Sequence, residues 1–179
     1  MKKRIVAICG STRKESVNLT LIRIFADLSK DYFDVIIYDS IDELPHFNPD
    51  LDKDLDSAPE VVKKFRQLLT NADGILICTP EYAMGVPGTL KNAIDWTVSS
   101  CEFNHKPTAL ITASTLGEKA HASLLETLTI IEANVTRETQ LHIPHIKTHI
   151  TSDGSIKDRE TGAALTELIN RFNEKVISK

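Results

Sequence analysis

Residues 5–18 read IVAICGSTRKESVN, and this stretch decides the fold. Its first part, Ile5–Cys9, is an unbroken apolar run that ends at a glycine. Such a run is typical of a strand buried on both faces of a parallel sheet. The polar segment that follows leads into a helical pattern of apolar residues spaced three and four apart. A buried strand, a polar loop and a helix in this order predict the first unit of an α/β fold, with a ligand site at the loop.

The same alternation continues through the rest of the chain. Gly74–Thr79 is a second continuous apolar run, Phe33–Tyr38 and Thr108–Ala113 are short β-branched segments, and Thr139–Ile143 is a weaker fifth strand. A segment with helical spacing follows each strand. Five strands alternating with five helices predict a doubly wound parallel sheet that has helices on both faces.

Length and composition restrict the class of protein. The chain has 179 residues, so we expect a single domain over residues 1–179. Its 21 lysines and arginines against 25 aspartates and glutamates give a formal charge of −4, which argues against a nucleic-acid or anionic-membrane partner. A membrane span or a signal peptide needs a longer apolar run than Ile5–Cys9 or Gly74–Cys78, so we expect a cytoplasmic protein. Three cysteines in no metal or redox spacing fit a reducing compartment.

Three further features are interpreted as structural. Asp39–Glu60 holds eight acidic residues and one lysine without an apolar period, and we expect a solvated surface loop there. Cys9 and Cys78 end neighbouring strands and are expected to be small buried residues with inert thiols. Three histidines, His142, His145 and His149, lie in or after the last predicted strand. Their spacing does not suit a single metal ion, so no metal site is predicted.

The loop after the first strand carries donors for an anion. Ser11, Thr12 and Ser16 supply hydroxyl groups, Asn18 supplies an amide, and Arg13 supplies a guanidinium. The dinucleotide fingerprint and the P-loop both need further glycines, which this loop lacks. Hydroxyls, amides and one cation at a helix N-terminus suit a terminal phosphate better than a pyrophosphate. The alternative is that Ser16 or Asn18 only caps the helix.

The loop after the third strand also enters a helix, and residues 79–96 read TPEYAMGVPGTLKNAIDW. In a sheet of order 2-1-3-4-5 the first and third strands are neighbours, so their loops flank one crevice. A flat aromatic cofactor in that crevice can contact the backbone of residues 81–85 and the ring of Tyr82, because Ala83 and Gly85 permit close approach. The alternative for the aromatic residues and the methionine of this stretch is ordinary core or interface packing.

Both loops resemble those of a known family. Residues 10–18, GSTRKESVN, are similar to the G-S-x-R-x-x-S-x-N phosphate loop of the NAD(P)H-dependent FMN reductases, and residues 80–96 are similar to their P-E-Y-N-x-S-x-P-G-x-L-K-N-A-I-D-W signature. The tail before the last helix, Ser152-Asp153-Gly154, also resembles that family. The resemblance implies a flavodoxin-like three-layer sandwich, an α/β fold with a five-stranded parallel sheet of order 2-1-3-4-5. It also implies non-covalent FMN, NAD(P)H as co-substrate, and two-electron reduction of flavins, quinones, azo compounds or metal oxyanions.

The match carries roles over to individual residues. It implies that the polar side chains of the first loop hold the phosphate, and that residues of the third-strand loop line the isoalloxazine. No residue is expected to be catalytic, because the flavin carries the chemistry. The expected cofactor-binding residues are Ser11, Thr12, Arg13, Ser16, Asn18, Pro80, Glu81, Tyr82, Ala83, Met84, Gly85, Ser114 and Gly117.

Three features depart from the family pattern. The Asn of P-E-Y-N is Ala83 and the later Ser is Gly85, so two polar side chains near the flavin are missing. The third flavin loop, residues 114–120, reads STLGEKA and keeps one glycine, Gly117. A different FMN affinity or substrate choice therefore stays open. Two other classes also stay open, namely an FMN-binding electron carrier or partner protein without NAD(P)H turnover, and a chain that has lost flavin binding.

We expect a homodimer or homotetramer whose interface borders the flavin. Tyr82, Met84, Val86 and Trp96 lie on and just after one loop, where a lone domain would struggle to cover them all. Pro87–Trp96 is expected to supply part of this surface. The resemblance points the same way, because members of the family are typically dimers or tetramers with the flavin near the subunit boundary.

Overall fold

A single parallel sheet of order β2-β1-β3-β4-β5 organises the chain and confirms the predicted order. The computed structural model describes residues 2–54, 57–151 and 153–178, so Ser152 of the tail motif lies outside the described residues. The strands are β1 (Lys3–Cys9), β2 (Phe33–Tyr38), β3 (Gly74–Thr79), β4 (Thr108–Ala113) and β5 (Gln140–Ile143). The α-helices of the described residues are α1 (Val17–Leu28), α2 (Glu60–Thr70), α3 (Gly88–Asp95), α4 (Glu118–Ile130) and α5 (Arg159–Ile177).

The burial of each strand follows from its place in the sheet. Every residue of β3 and β4 is buried, because these strands have a neighbour on each side and helices on both faces. The edge strands β2 and β5 are only partly buried. This explains why β5 gives the weakest strand pattern, since an edge strand needs fewer apolar residues. Thr139 lies in a 3-10 turn, Arg137–Thr139, rather than in β5 itself.

Two apolar layers lie on opposite faces of the sheet. Ile5, Ala7 and Cys9 point toward α1 and α5, whereas Val6 and Ile8 point toward α2, α3 and α4. This alternation has the period of two that an extended strand imposes. It confirms the three-layer α/β sandwich. Within the part of the chain that the structure describes, no helix combines the length and the apolar character that crossing a membrane requires.

The structure corrects the expectation for Trp96. The indole is fully buried, and its Nε1–H donates to the carbonyl oxygen of Pro45 at 2.8 Å. Its ring meets Phe47 edge to face, with 5.0 Å between the centroids. Trp96 is the C-cap of α3 and belongs to the core, so the prediction that it borders an interface is wrong.

The acidic stretch Asp39–Glu60 is not a fully solvated loop. It contains two short 3-10 helices and buries the side chains of Ile41 and Leu44. The carboxylate of Asp52 pairs with the guanidinium of Arg66 at 2.7 Å, and both side chains are almost completely buried. The prediction of a solvated acidic face is therefore wrong for the anchored part of the stretch. The physical reason is that isolated apolar residues and one ion pair hold the loop without producing a period in the sequence.

Candidate functional site

The carboxyl ends of β1 and β3 lie side by side and bring their loops together. Cys9 lies opposite Cys78 in the register, and the Gly10 N–H donates to the Cys78 carbonyl oxygen at 2.8 Å. A Cβ atom on Gly10 would lie 2.4 Å from Thr79 Oγ1, a separation that no real side chain tolerates. Glycine at this position therefore permits the close approach of the two loops.

The β1–α1 loop, residues 10–16, ends in the cap of α1. Ser16 is the N-cap, and its Oγ accepts a hydrogen bond from the third N–H of the helix at 3.4 Å. The N–H groups of Val17 and Asn18, the first two of the helix, have no carbonyl to bond within it, because no earlier turn exists. Ser11 is buried, and the exposed Arg13 follows it with its own N–H directed at Ser11 Oγ, 3.4 Å away. Hydroxyl groups, free N–H groups and a cation thus converge at a positive helix end.

Asn18 holds this loop to the sheet. Its Nδ2 donates to the Ala113 carbonyl oxygen at 3.3 Å, and its Oδ1 accepts from the Cys78 thiol at 3.4 Å. Burial raises the pKa of the Cys78 thiol well above its usual range and also raises that of Cys9, so both stay protonated at neutral pH. The Asn18 side chain is therefore an anchor between helix and strands and not a helix cap. Its contact with a phosphate stays a prediction.

The β3–α3 loop has a tight turn at its tip, formed by residues 82–85. Tyr82 and Gly85 exchange backbone hydrogen bonds at 3.0 and 2.9 Å, and the two residues between them have positive φ angles, 48° at Ala83 and 61° at Met84. This is the pattern of a type I′ turn, which favours glycine and asparagine at both central positions. The tip exposes 51% of Tyr82 and 66% of Met84. The Tyr82 hydroxyl lies 3.4 Å from Ser11 Oγ and links this loop to the first one.

Glu81 connects the β3–α3 loop to the loop after β4. Its Oε1 accepts from the Gly117 N–H at 3.2 Å, and its Oε2 accepts from the Ala120 N–H at 2.8 Å. These bonds place a carboxylate at the N-terminus of α4, and the bond from Ala120 is the main reason that the pKa of Glu81 is lowered. The carboxylate of Glu81 is thus engaged as a helix cap, while its carbonyl oxygen accepts from Ser114 Oγ at 3.4 Å.

Gly117 and the histidines behind it fix the third loop. Gly117 has φ +95°, and a Cβ atom on it would lie 2.9 Å from His142 Nε2. That nitrogen donates to the Leu116 carbonyl oxygen at 2.6 Å. His121 bonds to one side chain of β4 and one of β5, and burial lowers its pKa. These imidazoles tie loop and strands together, and no group of three or more possible metal ligands occurs in the described ranges 2–54, 57–151 and 153–178.

A cavity of about 490 Å³ opens between these loops, a size typical of small-molecule sites. Eight of the expected residues line it, namely Ser11, Arg13, Ser16, Asn18, Pro80, Glu81, Tyr82 and Ser114. The other five do not line it: Thr12, Ala83, Met84, Gly85 and Gly117. They belong to the same loops, where Thr12, Ala83 and Met84 are exposed and Gly117 is buried. A contact of these five with a cofactor stays a prediction.

The sequence interpretation missed one wall of the cavity, the turn at residues 145–148 after β5. The His145 N–H donates to the Thr115 carbonyl oxygen at 3.1 Å, and the Ile146 N–H donates to the Ser114 carbonyl oxygen at 3.2 Å. The turn is therefore attached to the loop after β4. The predicted strand order contained the signal, because it places the carboxyl end of β5 beside that of β4.

The cavity suits a ligand that has a terminal phosphate at one end and a flat ring at the other. The donors at the start of α1 are hydroxyl groups, N–H groups and a guanidinium, which are the groups that bind phosphate oxygens. The half-exposed ring of Tyr82 lies on the other loop of the same cavity. FMN has both features, so the residues present fit it. Fold and site together define a flavodoxin-like flavoprotein.

Comparisons with known proteins agree with this class. The family described as NADPH-dependent FMN reductase matches residues 3–148. The 2-hydroxy-1,4-benzoquinone reductase of a Burkholderia species is 31% identical over 178 residues, which are 96% of this chain and 95% of that protein. The NADPH azoreductase of Bacillus sp. strain OY1-2 is 38% identical over 130 residues, 68% of each chain. The structure of FerB, a flavoenzyme NAD(P)H:(acceptor) oxidoreductase from Paracoccus denitrificans, superposes with a TM-score of 0.86, 28% identity and 98% coverage of both chains.

The chain belongs to the NADPH-dependent FMN reductase family. It is an oxidoreductase that uses FMN as cofactor and NAD(P)H as co-substrate. The predicted family, enzyme class and cofactors are thereby confirmed.

Proposed function

We propose that this enzyme reduces quinones by two electrons and that the cavity at the carboxyl ends of β1, β3 and β4 is its FMN site. When bound, FMN supplies the two-electron hydride chemistry. The observation that carries the proposal is that one cavity joins the polar start of α1 to the half-exposed ring of Tyr82. The relatives named quinone reductase and benzoquinone reductase support this acceptor class, and the relative named azoreductase makes azo compounds the next class to test.

The first loop would hold the phosphate end of the cofactor. Ser11 and Ser16 present buried hydroxyl groups, and the N–H groups of Val17 and Asn18 add donors at the positive end of α1. The guanidinium of Arg13 lines the cavity beside them and offsets the negative charge of a phosphate. Thr12 would contribute through the same loop. A pyrophosphate would find too few glycines here for its backbone to approach.

The loops after β3 and β4 would hold the ring. Pro80, Glu81, Tyr82 and Ser114 line this part of the cavity. The carboxylate of Glu81 caps α4, so the backbone of Glu81, and not its side chain, would contact the ring. These residues bind and orient, and none of them is proposed as a proton donor to the acceptor. The half-exposed ring of Tyr82, which lines the cavity, would contact a planar acceptor such as a quinone.

The test is a pair of measurements on the purified protein. We expect an absorbance spectrum of bound FMN, reconstitution by FMN in preference to FAD or riboflavin, and oxidation of NAD(P)H that depends on added benzoquinone. Bound FMN without NAD(P)H oxidation would favour an electron carrier or partner protein, although the modest charge of −4 argues against docking to charged redox partners. A protein that binds no flavin would contradict the proposed site.

We also propose one FMN-binding domain over residues 1–179, located in the cytoplasm and assembled as a homodimer or homotetramer. The exposed Tyr82 and Met84 support a subunit contact near the cavity, whereas the buried Trp96 contributes nothing to it. Free thiols at all three cysteines fit a reducing compartment.

Analytical ultracentrifugation at micromolar concentration tests the assembly, and a fully active monomer would contradict it. We expect the double substitution Tyr82→Ala with Met84→Ala to weaken the dimer.

A further inference from the structure

Two side-chain cations line the cavity, and they come from different elements of the fold. Arg13 belongs to the β1–α1 loop, and Lys147 belongs to the turn after β5, with β3 and β4 between these strands in the sheet. Neither cation forms an ion pair with a carboxylate among the residues that the structure describes. An unpaired charge that faces a ligand cavity is available to bind a ligand of opposite charge.

The backbone under Lys147 is fixed, so its side chain has a defined origin. Ile146 is 3% exposed and packs in the same apolar layer as α1 and α5. The Thr148 N–H and hydroxyl both donate to the His145 carbonyl oxygen, at 2.8 and 2.9 Å, and close the turn. The Ile146 N–H is held by Ser114, which itself lines the cavity. The side chain of Lys147 therefore extends from a held backbone and can adjust to a ligand.

The charge of a phosphate monoester calls for a second cation. Such a group carries about −1.5 to −2 at pH 7. Arg13 supplies one positive charge, while Glu15 also lines the cavity and adds a negative one. A lysine from the turn after β5 restores the balance without demanding the planar geometry that a guanidinium needs.

We propose that Lys147 binds the phosphate monoester of a ligand in this cavity, as a second cation in addition to Arg13. This inference rests on the proposed function, because it assumes that the cavity is the FMN site. Two sources supply the same chemistry, namely the 5′-phosphate of FMN and the 2′-phosphate of NADPH. Both are compact dianions that an ammonium group on a flexible stem can reach.

The experiment compares the wild-type protein with Lys147→Gln and with a matched control, Lys157→Gln. Lys157 is an exposed lysine of the same β5–α5 connection that does not line the cavity. Flavin-free protein is titrated with FMN and with riboflavin by flavin fluorescence, and the FMN-loaded enzyme is assayed for the KM of NADPH and of NADH. The wild-type preference for FMN over riboflavin tests the proposed phosphate site independently of Lys147.

For Lys147→Gln we expect FMN affinity to fall about fivefold, the effect of roughly 1 kcal/mol, while riboflavin affinity stays unchanged. Lys147→Arg should retain most of the wild-type affinity, and Lys157→Gln should behave as wild type. If instead the KM of NADPH rises about fivefold with NADH and FMN unchanged, the proposal holds with the coenzyme phosphate as the ligand.

Equal loss for FMN and riboflavin, or no change in either titration or in either KM, would overturn the inference. A wild-type protein that binds riboflavin as tightly as FMN would remove the proposed phosphate site itself. That outcome would overturn the function and the inference together. If the wild-type protein prefers FMN over riboflavin but Lys147→Gln behaves as wild type, the inference about Lys147 fails and the proposed function stands.

Discussion

The two loops that flank the cavity differ in the burial and the polarity of their side chains. In the β1–α1 loop and the first turn of α1, Ser11, Ser16 and Asn18 are all buried polar residues, and each has a hydrogen bond within the chain. In the β3–α3 loop, the tip exposes Tyr82 and Met84 and bends through two positive φ angles. The β1–α1 loop is polar and held by hydrogen bonds, whereas the tip of the β3–α3 loop is exposed, largely apolar and strained by its positive φ angles.

This contrast predicts which parts of the site tolerate substitution. Buried polar groups are costly to disturb, because each lost hydrogen bond leaves an unsatisfied partner. An exposed turn tolerates substitution, since few contacts depend on its side chains. We therefore expect changes in the β1–α1 loop to affect cofactor affinity, and changes at the tip of the β3–α3 loop to affect the acceptor and the stability of the turn.

Replacing Arg13 by Ala should have the largest effect and tests the polar side of this contrast. A charge-assisted hydrogen bond contributes about 1.5–3 kcal/mol, so FMN affinity should fall roughly tenfold to a hundredfold. Riboflavin affinity should stay nearly unchanged, because riboflavin has no phosphate. Titration of flavin-free protein with both flavins measures the difference.

Lys14→Ala is the matched control for Arg13→Ala. Lys14 is an exposed neighbour in the same loop and does not line the cavity. If Arg13→Ala lowers only the thermal stability and keeps FMN affinity intact, the loop is a helix cap without a phosphate role.

Replacing Glu81 by Gln tests whether the β3–α3 loop also supports the fold. The carboxylate caps α4, and caps and helix dipoles of this kind contribute about 0.5–1 kcal/mol at exposed sites, so the free energy of unfolding should fall by that amount near pH 7. The pKa of Glu81 is lowered in the folded protein. Its contribution is thus fully present above the unfolded pKa, about 4.3, and is lost as the pH falls through the folded pKa.

Urea unfolding at several pH values measures this effect. The difference between wild type and Glu81→Gln should be largest at neutral pH and should shrink below about pH 4. Glu126→Gln, an exposed residue of α4, is the control and should show no such trend. A difference that stays constant down to pH 3 would contradict the capping role.

Ala83→Asn should change the free energy of unfolding by a similar amount to Glu81→Gln but in the opposite direction, and it tests the strain in the turn of the β3–α3 loop. Ala83 has φ 48° in a type I′ turn, a conformation that asparagine adopts more readily than alanine. The free energy of unfolding should therefore rise by about 0.5–1 kcal/mol. Ala122→Asn on the exposed face of α4 is the control and should lower it, because asparagine is a poorer helix former.

A fall in stability for Ala83→Asn would show that the turn is not strained by its alanine. Urea unfolding of both variants decides this, and the same samples allow the KM of the quinone to be compared. We expect that KM to change more for Ala83→Asn than for Ala122→Asn, because the turn borders the cavity.

Much of the fold was readable from local pattern because burial and periodicity coincide. The run at β3 is apolar at almost every position, and all its residues are buried in the centre of the sheet. Ser16 was a candidate cap, and its hydroxyl does cap α1. The same loop also supplies four polar residues that line the cavity, namely Ser11, Arg13, Glu15 and Ser16.

What escaped the sequence depends on contacts between distant segments. The turn at residues 145–148 lines the cavity because hydrogen bonds attach it to the loop after β4, and no local pattern records such bonds. The sequence around Trp96 does not show that Pro45 offers its indole a buried acceptor. The acidic stretch does not show that Asp52 is paired, because its partner Arg66 lies on α2, outside that stretch.

The anchoring of Asn18 has a consequence for how a cofactor enters. Both of its side-chain hydrogen bonds run to strands of the sheet, to Ala113 and to the Cys78 thiol, so the start of α1 is held to the sheet without a ligand. A ligand that meets a preorganised loop loses little affinity to the ordering of the protein. The competent conformation needs no selection from a minor population, so association should proceed without a slow conformational step.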